Sequence, residues 1–445
     1  MYTRARCANP EFGKEDTVMK INALKSALMS GEYDARLAHI YGEAAVAHQK
    51  ARYSAAIDEF AAIYGADRDV SLYSVAGRSE LSGNHTDHNH GCVVAASIDL
   101  DIIAVASARE DSVIRIKSEG FPEDVVDFAA YTTPDEAKFG TSGSIIAGMC
   151  AGFTKDGYNI GGFDAYTTSN VLKGSGLSSS AAFEDMVGNI LSHLYNDGKV
   201  DNVEIAKLAQ YSENVFFGKP CGLMDQVACA VGGIVAIDFN DPKAPIIDKV
   251  DFDISGAGYN LCIVNTGGNH ADLTDDYASV PAEMKAVAAA LGKNVLREVD
   301  ESGFVAEIPA LRESVGDRAV LRALHFFSEN ARVAKQKAAL LGGDLNEFFS
   351  QVIASGKSSF CYLQNVYTSK NLSEQGLSLA LCLAEQYLSD KGGAWRVHGG
   401  GFAGTIQAYV PMDAVDGFKA LMDGVFGEGK CMVLRIRPEG ALRIA

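Results

Sequence analysis

The stretch GNHTDHNHG, Gly83 to Gly91, sets His85, Asp87, His88 and His90 within one short loop. Histidine and aspartate at such spacing can ligate zinc or iron, so a metallohydrolase centre is one chemistry open to it. A polar loop gripping the hydroxyls of a sugar is another.

Three further segments carry residues of chemical interest. In LKGSGLSSSAAFED, Leu172 to Asp185, Gly174 and Gly176 let the backbone approach a ligand, and serines lead directly into a helix. Amide groups at a helix start carry partial positive charge that favours phosphate. The pattern is neither a Walker A motif nor the dinucleotide-binding GxGxxG, and alone it also reads as a capped turn. GKPCGLMDQVACAVGG, 218 to 233, places Asp225 near a helix start, where an acid can simply complement the dipole. RVHGGGFAGTIQAYV, 396 to 410, runs three glycines into a strand, as a flexible turn or a close passage of chains does.

The elements that must position these segments follow from periodicity. Residues 17 to 64 have helical spacing and stop at Gly65. SLYSVAG from 71 and CVVAASIDLDIIAVASA, 92 to 108, read as strands flanking the histidine loop. A helix is expected over 139–157, a strand from 163, helices on both sides of PCG, and a buried strand at 258–266. Long amphipathic helices follow near 274–292, 318–341 and 371–390. The Pro, Gly and charge-rich NDPKAPIIDKVDFDISGAG marks a domain boundary. The expected organisation is a helical extension over 1–65, an N-terminal domain over 66–255 and a C-terminal domain over 256–445.

A chain of 445 residues with 47% hydrophobic and 22% charged residues has material for two folded domains. Its net charge of -18 opposes nonspecific binding to nucleic acid or an anionic membrane, so an anionic substrate needs a local cationic pocket. Nine scattered cysteines without a CxxC pair indicate a reducing, cytoplasmic setting. The N-terminus lacks a signal-peptide core, and no apolar stretch reaches the roughly 18 residues of a membrane span.

Taken together, the four segments resemble the signature segments of galactokinase, in the GHMP family of small-molecule kinases. The opening signature GRxNLIGEHTDYNxG is carried by Gly77, Arg78, Leu81, Gly83, His85, Thr86, Asp87, Asn89 and Gly91. GxGLSSSA runs from Gly174 to Ala181, PCGIMDQ is PCGLMDQ from Pro220 to Gln226, and GAGFGG is GGGFAG from Gly399 to Gly404. The likeness covers roughly 70 to 445, leaving the N-terminal helices as an extension.

The resemblance implies a two-domain α+β GHMP kinase fold, with a mixed-sheet N-terminal domain and an α/β-sandwich C-terminal domain around a cleft for ATP and a hexose. The histidine loop would then bind sugar hydroxyls and not metal: His85 and Asp87 directly, with Gly222 and Tyr277 close by. Gly174, Ser175, Gly176, Leu177, Ser178, Ser179 and Ser180 would cradle the ATP phosphates, and Ser180 with Glu213 would hold Mg²⁺. Asp225 would take the proton from the anomeric hydroxyl, with Arg78 holding it as an anion and stabilising developing charge. A soluble protein without nucleic-acid or membrane partners, and more readily a monomer than an oligomer, is expected.

The departures concern specificity. Glu80 stands where galactokinases carry Asn, Asn84 where they carry Glu, and His88 where they carry Tyr. Asn84 is expected near the C6 end of the sugar, where losing a carboxylate removes repulsion toward a substrate carboxylate and His88 adds positive charge. Galacturonate is therefore an alternative to galactose, and a sensor that binds sugar and nucleotide without transfer is a third reading. His193, His325, Trp395 and the pairs Phe216/Phe217 and Phe326/Phe327 read as packing residues, and RIRPEGALRIA as a solvated edge strand.

Overall fold

The computed structural model describes residues 18–171, 176–219, 221–268 and 273–445. Helices α1 (Ile21–Ser30), α2 (Asp34–Tyr41) and α3 (Val46–Tyr64) form the expected extension, interrupted where Gly31 and Gly42 take positive φ and closed at Gly65. Their apolar faces do not form a separate unit. They lie on a nine-stranded sheet of β1 (Met19–Lys20), β2 (Asp69–Ser82), β3 (Cys92–Ala108), β4 (Val113–Ser118), β5 (Glu123–Asp127), β6 (Phe163–Ser169), β7 (Ile234–Asp238) and β8 (Ile246–Val250), completed by a strand from the C-terminus.

Two strands dominate this sheet. β2 and β3, 14 and 17 residues long, pair antiparallel and are buried almost throughout, so both faces are covered. Alternation assigns the faces: Ile102, Ala104 and Ala106 join the core under α4 (Ser142–Lys155), α5 (Ser179–Tyr195), α6 (Asn202–Tyr211) and α7 (Met224–Val231). Ile103 and Val105 face the α1–α3 cap, with Leu37, Tyr53 and Phe60. The near ends of the same strands, through Leu81, Val94, Ala96 and Ile98, pack against the second half of the chain.

The chain changes sheets between Val250 and Tyr259. Strand β9 (Tyr259–Asn265) is central in an antiparallel sheet with β10 (Ala394–His398), β11 (Thr405–Pro411) and β12 (Cys431–Leu434), in the order β10-β11-β9-β12. Helices α8 (Thr274–Ala290), α9 (Phe304–Ser314), α10 (Asp317–Gly342) and α11 (Leu345–Ser358) precede β10, and α12 (Gly376–Leu388) and α13 (Val415–Phe426) cover one face of the sheet. The helix expected from 371 begins at Gly376, because Asn371 folds its carboxamide oxygen onto the Ser373 amide in a local turn.

The C-terminus departs from the sequence reading. Instead of a solvated edge, β13 (Ala441–Arg443) returns to pair with β2, burying Leu442 and Ile444. Arg437 is fully buried and bonds Asp101 at 3.0 Å. Arg52 of α3 reaches the other oxygen of Asp101 at 2.5 Å, and Tyr41 of α2 donates to the same carboxylate. Burial pushes the Asp101 carboxyl up, but Arg52, Arg437, Ser74 and Tyr41 together hold it below the usual carboxylate range. Cap, sheet and C-terminal tail thus share one buried charge.

Candidate active site

Arg78 sits on β2 next to a register shift at Gly77, where a β-carbon would press on the Leu177 carbonyl and the Val171 side chain. The close approach lets the Arg78 amide bond the Leu177 carbonyl at 3.1 Å while its Nη1 donates to the Gly176 carbonyl. Strand and phosphate loop are therefore joined by the residue that also reaches Asp225.

Asp225 lies in the first turn of α7. Its Oδ1 meets Arg78 Nε and Nη2, each at 2.8 Å, and its Oδ2 accepts from Ser178 Oγ at 2.6 Å. Burial opposes the charge on Arg78, yet Asp225, Cys229 and Glu80 outweigh it and raise its pKa above the ordinary arginine value. Ser178 caps α5 in the left-handed conformation, φ 59°, so its hydroxyl turns to Asp225 and not to its own helix. An ionised carboxylate has about four lone-pair sites. Three are occupied, and the remaining one is on Oδ2 of a side chain that is 37% exposed.

The sugar loop joins β2 to β3. Gly83 and His85 take positive φ, and Thr86 Oγ1 bonds the Gly83 and Cys92 carbonyls, which pinches the loop shut. Asp87 is half-buried, and the Gly222 backbone passes so close that a β-carbon there would collide with Asp87 Oδ2. Burial raises the Asp87 carboxyl above its ordinary pKa; His85 and the His88 amide pull it back, while Asp225 and Glu80 push it further up.

The glycine turn closes against this loop. Asn84 Nδ2 donates to the Gly399 carbonyl at 2.7 Å, His85 Nε2 to the Gly400 carbonyl at 2.9 Å, and Tyr277 OH to the Gly401 carbonyl at 2.8 Å. A carbonyl only accepts, so His85 carries its proton on Nε2.

Two expectations do not survive this geometry. Asn84 is fully buried, and its side chain is committed to Glu80, Gly399, Ser359 and Asn365, so nothing of it faces a substrate. His88 supplies no positive charge: burial, with His85, Lys285 and His325 nearby, drives its pKa well below the ordinary value. Its Nδ1 meets Asn89 Nδ2 at 2.9 Å, and Nε2 is enclosed. With His85 Nε2 on a carbonyl as well, the loop's histidines do not converge as metal ligands.

Behind the phosphate loop, α6 widens into a π-helical turn, Ser212–Phe217, which carries Glu213. Glu213 bonds Lys219 at 3.0 Å, and Gln226 Nε2 bridges Glu213 and Glu184 at 3.0 and 3.1 Å. Burial first, then the Glu213 charge, pushes Glu184 up to about 8. Glu184, Lys219 and Gln226 were missed by sequence reasoning, although Gln226 is adjacent to Asp225 and Glu184 lies one turn after Ser180. Leu177 is buried and Ser180 is exposed on the first turn of α5 beside Ser179, whereas Gly174 and Ser175 lie outside the described residues. His325 is a buried hydrogen-bonding residue, joining Ser358 to the Asn84 carbonyl.

Comparison with known proteins matches this layout. The family model for the GHMP kinases N terminal domain matches residues 144–233, and that for the galactokinase galactose-binding signature matches residues 58–108. Galactokinase of Streptomyces coelicolor is 30% identical over 375 residues, 83% of this chain and 92% of the relative. Galactokinase of Lactococcus lactis subsp. lactis is 31% identical over 389 residues, 84% and 92% of the two chains. A crystal structure of Lactococcus lactis galactokinase complexed with galactose superimposes with a TM-score of 0.73 at 27% identity, covering 88% of this chain and 99% of that one. A mevalonate kinase, at 13% identity and a TM-score of 0.59, shares the fold. With family models matching across both the sugar loop and the phosphate loop, and relatives aligned over nine-tenths of their length, the chain belongs to the galactokinase family of GHMP kinases.

Proposed function

We propose that the protein is an ATP-dependent galactose 1-kinase, and the observation that carries this reading is the Arg78–Asp225–Ser178 constellation at the mouth of the phosphate loop. The open acceptor site on Asp225 Oδ2 takes the proton of the anomeric hydroxyl as its oxygen bonds the γ-phosphorus and ADP leaves with the electrons of the broken P–O bond. Arg78 pairs with the carboxylate and holds it in register with the phosphates. Asp87, packed against the Gly222 backbone, accepts from sugar hydroxyls, and His85 and Tyr277 complete the wall on the glycine turn. Gly174 to Ser180 cradle the phosphates against the α5 dipole.

The acidic end of the site fits Mg²⁺. Burial, and after it the Glu213 charge, pushes Glu184 up to about 8, and a hard dication suits such a set of oxygens. Ser180 and Glu213 would hold it, and when bound it neutralises charge on the phosphates. Eight described cysteines are free thiols, which supports a cytoplasmic setting.

Galactose is favoured over galacturonate because Asn84 is buried away from the site and His88 is neutral. An ADP-release assay on galactose, N-acetylgalactosamine, glucose and galacturonate tests the reading. Turnover of galactose is expected. Galacturonate turnover alone would reverse the substrate assignment, and no turnover with any sugar would favour the sensor.

A further inference from the structure

Two of the residues that differ from the family signature, Glu80 and Asn84, meet beside one buried arginine. Arg396 of β10 is 0% exposed, and its Nη2 bonds Glu80 Oε1 at 2.7 Å. Its Nε and Nη1 have no hydrogen-bond partner among the described residues. The same Glu80 oxygen accepts Asn84 Nδ2 at 3.1 Å, so acid, amide and guanidinium share one point. From there Asn84 reaches outward, to the Gly399 carbonyl with Nδ2 and to Asn365 and Ser359 with Oδ1. Asn365 passes the contact on to the Gly400 carbonyl at 3.1 Å.

We infer that the acid and the amide have exchanged places around Arg396, and that Asn84 is a positioning residue which fastens the sugar loop to the glycine turn. A buried arginine needs one carboxylate; none leaves its charge unpaired, and two crowd like charges. The signature Asn…Glu, read here as Glu80…Asn84, keeps the acids bonded to Arg396 at one, while buried Glu329 acts on it only through space. The exchange also changes what position 84 can do. A carboxylate cannot donate to the Gly399 carbonyl, whereas the Asn84 amide does, so this chain gains a direct tie between the two loops that flank the sugar. Specificity at the C6 end is then not written at position 84, because that side chain is consumed by protein partners.

The inference deepens the galactokinase reading and rests on it for the activity measurement alone. The first experiment is a thermal-unfolding cycle on Glu80→Gln, Asn84→Asp and the double variant, which needs no substrate. Each single variant should lower the midpoint by about 5–10 °C, through an unpaired Arg396 or a second carboxylate beside it, and the double variant should regain at least half of the larger loss. Additive losses would overturn the exchange.

The second compares kcat/KM for galactose and 6-deoxygalactose in the parent and Asn84→Ala. A positioning residue should lower both by the same factor, about 10-fold or more, whereas a loss confined to galactose would mean that Asn84 touches the C6 hydroxyl and would overturn its assignment. If the parent phosphorylates neither sugar, the proposed activity fails, while the thermal cycle still decides the exchange.

Discussion

Asp225 receives both Arg78 Nε and Nη2 on a single oxygen, each at 2.8 Å, and so keeps an acceptor site free on the other. A symmetric fork would fill the same number of sites but, with Ser178 on Oδ2, would leave the vacant one on Oδ1. Asp225→Asn is therefore expected to lower kcat by about 10²–10⁴-fold. Steady-state assay beside circular dichroism checks it; a fold-intact variant with unchanged kcat would remove Asp225 as the base.

Ser178 holds its left-handed backbone at a cost of about 1–2 kcal/mol relative to ordinary geometry. Glycine has no such penalty, but it also has no hydroxyl for Asp225. Ser178→Gly should keep or raise the melting temperature while lowering kcat, and a variant as active as the parent would show that the Ser178 hydroxyl is dispensable.

Burial pushes His325 down to about 4; Glu329 and the Asn84 carbonyl pull it upward, while Arg332 and His85 push it further down. Against an ordinary value near 6.5, the unfolded chain takes this proton first as pH falls. The stability tied to neutral His325 is complete above about pH 6.5 and drains away toward pH 4, by roughly 3 kcal/mol over the window. Glu329, pushed down to about 2, titrates later. Urea unfolding at pH 7 and pH 5 should show His325→Asn losing less stability than the parent between the two; equal losses would contradict the assignment.

Asp101 is shared by Arg52, Arg437 and Tyr41, all from segments outside the central sheet strands. Arg437→Met should destabilise by about 3–5 kcal/mol, and Tyr41→Phe by about 1.5–3 kcal/mol. Denaturant titration measures both. Losses under 1 kcal/mol for each would mean the node is solvated in solution.

The family was legible in the sequence where its motifs are local. The sugar loop, the phosphate loop and Asp225 each sit on contiguous motifs whose glycines and helix starts have fixed geometric meaning. What the sequence did not disclose depends on partners far along the chain. Nothing adjacent to Asn84 announces that Asn365, Ser359 and Gly399 will consume its carboxamide. His88 reads as a cation until burial beside His85, Lys285 and His325 is known. Helices α9 and α11 went unread among stronger neighbours, and the tail looked solvated because Arg437 finds its acid more than three hundred residues upstream.

That last contact bears on the order in which the protein can mature. Synthesis delivers Arg437 more than three hundred residues after Asp101, and β13 cannot pair with β2 until its residues have emerged. The half that carries the phosphate loop and Asp225 therefore spends most of translation with an open edge and an incompletely neutralised buried acid. Residues 437–443 act as a latch on Asp101 and β2, so a ribosome that stops shortly before Arg437 releases every proposed site residue with the nine-stranded sheet still lacking its last strand.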